Sequence, residues 1–130
     1  GAMWWDMHAW LLRSQEQMKK GALATSHFQV PWVFGVPDLD FSKAVGLMKN
    51  FTLEGIAQKV TCPFLVMHGK DDGIIPPEEA QILYDKLGSK VKTLKIFDAE
   101  EGAAQHCQVD DRQAGVNYMA DWLSENVFAR

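Results

Sequence analysis

Past Val60 the chain alternates between short apolar runs and helical stripes, which leaves it few possible folds. Phe64 to His68 (FLVMH) is an apolar run of strand length between Pro63 and Gly69, the pattern of a parallel strand covered on both faces. Pro76 and Pro77 then open a helix on which Ala80, Leu83, Tyr84 and Leu87 fall at i, i+3, i+4 and i+7. Gly88 stands where a C-terminal cap belongs. Val91 to Phe97 (VKTLKIF) predicts a second strand. After a polar loop, Asp110 and Gln113 form a capping-box pattern opening a last helix, with Val116, Met119, Trp122 and Leu123 as its apolar face. Strand, crossover helix and parallel strand make a βαβ unit, expected to be right-handed.

The first part of the chain has a different character. Gly1, Ala2 and Met3 read as a cleaved tag and a start methionine. Residues 4–20 place Trp4, Met7, Leu11 and Met18 at broadly helical spacing, with Gly21 as a stop. Residues 22–38, with Pro31, Gly35 and Pro37 among Phe28, Trp32 and Phe34, read as an irregular connection packed on something apolar. Asp40 can cap a helix running to about Asn50, with Ala44, Leu47, Met48 and Phe51 on one face. A short helix over Leu53 to Lys59 then leads into the sheet region. The division is therefore 1–3, a helical lid-like or cap-like segment over 4–59, and a βαβα segment over 60–130.

Composition narrows the function classes. A formal net charge of −4 argues against a nucleic-acid partner, since phosphate binding needs a basic face. Lys86, Lys90, Lys92 and Lys95 are the nearest thing to a basic patch, but they are spread around a helix end and a strand, as on a solvated surface. No apolar run approaches the ~18 residues of a membrane span, so no membrane partner is expected. Cys62 and Cys107 are too few for a disulfide framework, and no signal-peptide pattern opens the chain. An intracellular, cytoplasmic protein is the expectation. Two strands with helices on them do not make an independently stable parallel sheet, and each leaves an unpaired edge. A second copy of the chain, or a missing N-terminal portion, is expected to cover it.

In open parallel sheets, ligands meet the loops beyond the carboxyl ends of the strands. Those loops here are HGKDDGIIP, residues 68–76, and DAEEGAAQHCQVDD, residues 98–111. The run CPFLVMHGKDDGIIPPEEA, followed by EEGAAQHC and then MADWL, resembles the C-terminal end of α/β-hydrolases. The resemblance is strong over residues 52–127 and looser over 4–51. Its nearest subgroup is the esterase branch related to pseudo-oxynicotine hydrolases and fungal heptaketide pigment hydrolases. It implies an α/β fold: the last two strands of the hydrolase sheet with their crossover and terminal helices, preceded by a lid. It also implies that Asp72, in the His-Gly, two residues, Asp pattern, is the catalytic acid, and that His106 is the catalytic histidine. The implied activity is hydrolysis of a small-molecule ester, or of a C–C bond next to a ketone, without a cofactor. Asp71 is the neighbour most easily confused with Asp72, and His68, which belongs to the pattern without a chemical role, reads as a strand-end residue holding the loop.

The chemistry of such a pair is general: a histidine takes the proton of a serine hydroxyl, and the acid fixes the histidine tautomer and stabilises the imidazolium. In this family the order is serine, acid, histidine. The chain has the second and third members. No Gly-x-Ser-x-Gly occurs, and Ser14, Ser26, Ser42, Ser89 and Ser124 all lack the strand–turn–helix elbow. A truncated hydrolase acting only as an interaction or assembly module is the alternative. The spacing of His68, Asp72, His106 and Cys107 matches no standard zinc pattern. Cys107 beside His106 suggests a thiol nucleophile, but adjacent side chains rarely point at one another, so a structural cysteine is the expectation. Trp4, Trp5, Trp10 and Trp32 suit a core or an interface better than a substrate box.

Overall fold

The computed structural model describes residues 4–20 and 26–129. The tag reading of residues 1–3, the stop at Gly21 and the start of the irregular stretch lie outside them. The chain forms two compact units, one over Asp6–Thr52 and one over Leu53–Arg130 joined by the residues up to Trp5.

The first unit is helical. Helix α1 spans Met7–Lys19, and its N-cap Asp6 accepts the Ala9 N–H at 2.8 Å. Helix α2 spans Ser26–Val33, within the stretch expected to be irregular. Pro31 removes the donor for the carbonyl four residues back, yet His27, Val30 and Pro31 are all buried. Burial of that i, i+3, i+4 face outweighs one missing backbone bond. Asp40 caps α3, Phe41–Leu47, by accepting the Lys43 N–H at 3.2 Å. This helix ends earlier than its pattern suggests. It also buries a different face: Phe41, Ala44, Val45 and Met48 are inside with Leu11, while Leu47 and Phe51 are exposed.

The second unit holds the sheet. Strands β1, Phe64–Gly69, and β2, Lys92–Phe97, pair in parallel with Phe64 opposite Lys92 and Gly69 opposite Phe97. Their carboxyl ends therefore meet at one edge. Helix α4, Pro77–Lys86, is the crossover and buries Ala80 and Leu83 with Leu87 and Val66. Gly88 is not the left-handed cap expected of it. A Cβ there would lie 2.1 Å from the Gln58 carbonyl oxygen, so a close backbone approach requires the glycine. The expected helix over 53–59 is a single tight turn at Ala57–Lys59. Trp5 is tied to this unit, donating its backbone N–H to the Glu79 carboxylate at 2.9 Å and accepting from Leu53 N–H at 2.9 Å.

Helix α5, Arg112–Leu123, is capped by Asp111, which accepts the Ala114 N–H at 3.0 Å; Asp110 does not cap it. Trp122 is buried and donates to Thr93 Oγ1 at 2.8 Å, and Tyr118 stands edge-on to Phe97. Val116 and Met119, expected on the inner face, are exposed. Among the described residues, no helix is long and apolar enough to cross a membrane.

Candidate acid–histidine site

The site starts from the turn after β1. Asp72 Oδ1 accepts the backbone N–H groups of Ile74 at 2.8 Å and Ile75 at 2.9 Å, an Asx-type turn that folds HGKDDGIIP back on its own carboxylate. The Asp72 side chain is fully buried. A buried carboxylate is costly unless hydrogen-bonded. Here burial pushes its carboxyl up, but the Ile75 and Ile74 N–H groups and the His106 ring together hold it below the usual carboxylate range.

His106 arrives from the loop after β2. Its Nδ1 lies 2.9 Å from Asp72 Oδ2 and 3.1 Å from Oδ1. A carboxylate offers no hydrogen, so Nδ1 carries one and the neutral ring keeps Nε2 as an acceptor. The His106 side chain is 30% exposed, so the ring bridges a buried acid and the surface. Asp71 is exposed. Its backbone N–H donates to the Ala104 carbonyl at 3.0 Å, so its part is played by the main chain.

Two further contacts lock the loops together. Gly69 ends β1 beneath the histidine loop, where a Cβ would stand 2.1 Å from the Ala104 oxygen. Lys70 N–H donates to the Phe97 carbonyl at 2.8 Å, joining the two strand ends. The histidine loop itself is held in sparsely populated backbone. Ala103, Cys107 and Gln108 have φ of 61°, 53° and 53°, each costing on the order of 1 kcal/mol. Asp110 offsets this by accepting the Ala104 N–H at 2.8 Å and the Gln105 N–H at 3.0 Å. Burial pushes its carboxyl up, but the Gln105 and Ala104 N–H groups, with the backbone N–H groups of Asp110 and Asp111, together hold it below its usual range.

His68 is 1% exposed, and its Nε2 faces the Ile75 carbonyl at 2.9 Å and Asp72 Oδ2 at 3.3 Å. Both are acceptors, so Nε2 carries the hydrogen; Nδ1 has no hydrogen-bond partner among the described residues. His68 thus holds the loop from the strand end, as expected, through contacts the sequence did not specify; the role of Asp110 was missed. Nothing in the residue pattern separates Asp110 from Asp111. Among the described residues no group of three or more His, Cys, Asp or Glu side chains is placed to hold a metal ion. Trp32 is exposed, and Trp4, Trp5 and Trp10 are partly buried. Ser89 donates to the Val91 carbonyl at 2.8 Å.

A parallel βαβ unit with an acid on one carboxyl-end loop and a histidine on the next is the architecture of an α/β-hydrolase chain. The chain belongs to the family described as serine aminopeptidase, S33, whose model matches residues 11–101. That match includes Asp72 and ends before His106. The chain is also similar to caffeoylshikimate esterase of Arabidopsis thaliana, with 33% identity over 70 residues, or 53% of this chain. It spans about a fifth of that relative, 21% of its length.

Proposed function

We propose that this chain supplies the acid and the histidine of a serine hydrolase acting on small-molecule esters. Asp72 holds the Nδ1–H tautomer of His106. His106 Nε2 takes the serine proton as the acyl–enzyme forms and returns it to the leaving alcohol; the same nitrogen then activates water. The serine and the oxyanion donors come from polypeptide outside these residues. The observation that carries the reading is the 2.9 Å contact between His106 Nδ1 and Asp72 Oδ2, with Nε2 turned away from the acid. The similarity to a protein named as an esterase favours an ester over an amide. The finer placement beside pseudo-oxynicotine and heptaketide hydrolases, and with it C–C bond cleavage next to a ketone, rests on the EGAAQHCQ segment and the Met-rich stretch before β1.

The 130 residues alone are expected to remain unlabelled by a fluorophosphonate probe and to leave a nitrophenyl ester unhydrolysed above background. A longer form of the polypeptide that includes a Gly-x-Ser-x-Gly elbow is expected to hydrolyse it, and His106→Ala to lower kcat/KM by roughly 10³-fold or more. Ester turnover that survives both His106→Ala and Asp72→Asn would refute the assignment. A second reading, a non-catalytic assembly module, is favoured by the absence of any serine elbow in these residues. A longer form that assembles but shows no serine-dependent labelling would support it.

A further inference from the structure

The face of His106 that looks away from Asp72 is occupied by a thiol. Cys107 Sγ lies 3.4 Å from His106 Nε2, a sulfur hydrogen-bond distance, although the two residues are neighbours in sequence. Adjacent side chains ordinarily diverge. Here the left-handed backbone of Cys107, φ 53° and ψ 27°, turns its Cβ back toward the ring. The order Asp72, His106, Cys107 thus has the polarity of a nucleophile relay: the carboxylate fixes hydrogen on Nδ1, Nε2 is an acceptor, and the group facing it is an S–H. Both cysteines are free and exposed, so Cys62 is an internal reference on a different loop.

We propose that Cys107 is a modification site for soft carbon electrophiles, such as haloacetamides and α,β-unsaturated carbonyl compounds, with His106 as its general base. In alkylation by iodoacetamide, Sγ attacks the methylene carbon as the S–H proton passes to Nε2. The S–C bond forms, the C–I bond breaks, iodide leaves, and the imidazolium releases its proton to water. With an unsaturated carbonyl, Sγ adds to the β-carbon and the imidazolium proton ends on the α-carbon. Either adduct stands against Nε2 and blocks the nitrogen from any other proton donor. The inference rests on the Asp72–His106–Cys107 geometry and needs no ester to be hydrolysed.

The test is competitive labelling of the full chain with limiting iodoacetamide, with the Cys107 and Cys62 peptides quantified by mass spectrometry. Cys107 is expected to react at least about tenfold faster than Cys62. His106→Gln is expected to bring the ratio to within about twofold of unity, with the Cys62 rate unchanged as evidence of an intact fold. Asp72→Asn is expected to slow Cys107 as well, because an amide that donates to Nδ1 leaves the hydrogen on Nε2, which then cannot accept from sulfur. Equal rates at the two cysteines in the unaltered chain overturn the proposal. So does a ratio that survives either substitution. Neither readout depends on serine chemistry, so a failed hydrolase reading would leave this result standing, and the reverse.

Discussion

Replacing Gly69 with alanine tests whether the acid and histidine loops are one structure. In a strand, alanine in place of glycine ordinarily stabilises, because it narrows the unfolded ensemble. At Gly69 the sign should reverse. The new Cβ would stand 2.1 Å from the Ala104 oxygen, 2.5 Å from its carbonyl carbon and 2.6 Å from the Gln105 oxygen, whereas ordinary contact begins at 3.4 Å. All three obstacles are backbone, so no side chain can swing aside and the loop must retreat by more than 1 Å. Retreat breaks the 3.0 Å bond from Asp71 N–H to the Ala104 carbonyl and draws His106, two residues further on, away from Asp72. Overpacking costs about 1–3 kcal/mol and the lost backbone bond about 1 kcal/mol, so the loss is about 2–4 kcal/mol. Urea unfolding followed by tryptophan fluorescence measures it, and the imidazole nitrogen NMR signals of His106 report the lost Nδ1–H contact. Gly69→Ala with stability within 1 kcal/mol of the unaltered chain, and with unchanged His106 signals, would refute the reasoning.

Asp72 and Asp110 both titrate below the usual carboxylate range, so the stability they contribute is fully present above about pH 4 and is lost as pH falls through their folded values. Urea midpoints should therefore fall on acidification below that point, with a shallower slope in Asp72→Asn; an unchanged slope would count against the buried network. Asp110→Ala removes the acceptor of the Ala104 and Gln105 N–H groups, and hydrogen exchange at those two amides should accelerate while exchange in β1 stays put. The chain is expected to self-associate, because Val116 and Met119 lie exposed on α5 and the two described strands have open outer edges. A monomer mass by light scattering at micromolar concentration would contradict this.

What the sequence revealed, and what it hid, followed the range of the forces involved. The strands, the crossover helix and the residues Asp72 and His106 were legible because each is marked by a local pattern: an apolar run, a four-residue stripe, a short motif after a strand. Helix α2 was hidden by Pro31, whose local cost is repaid by burying His27 and Val30 against partners distant in sequence. The inner face of α5 was misread because the face that is buried is chosen by distant partners: Tyr118 packs on Phe97 and Trp122 reaches Thr93, leaving Val116 and Met119 outside. The cap was misplaced separately: Asp110 and Asp111 are equally good caps in sequence, and only the loop contacts of Asp110 assign the cap to Asp111. The approach of Cys107 to His106 runs against the sequence expectation, because neighbouring side chains ordinarily diverge and a left-handed cysteine has no residue-level signature.

The contacts that fix the acid and the histidine all come from a short span of chain. Asp72 is held by Ile74, Ile75, His68 and His106, and the His106 loop is held by Asp110, Asp71 and the bare backbone of Gly69. Every one of these residues lies between His68, at the end of β1, and the start of α5. The pair is therefore preorganised by its own two loops and the strand ends that carry them, at a cost in strained backbone that Asp110 and the Asx turn offset. The same closeness explains why a thiol can take the position facing Nε2: the ring is held from the acid side, and the turn at Cys107 brings sulfur to its other nitrogen. A nucleophile offered by any other part of a hydrolase would meet a histidine already oriented, and would have to displace that thiol to reach it.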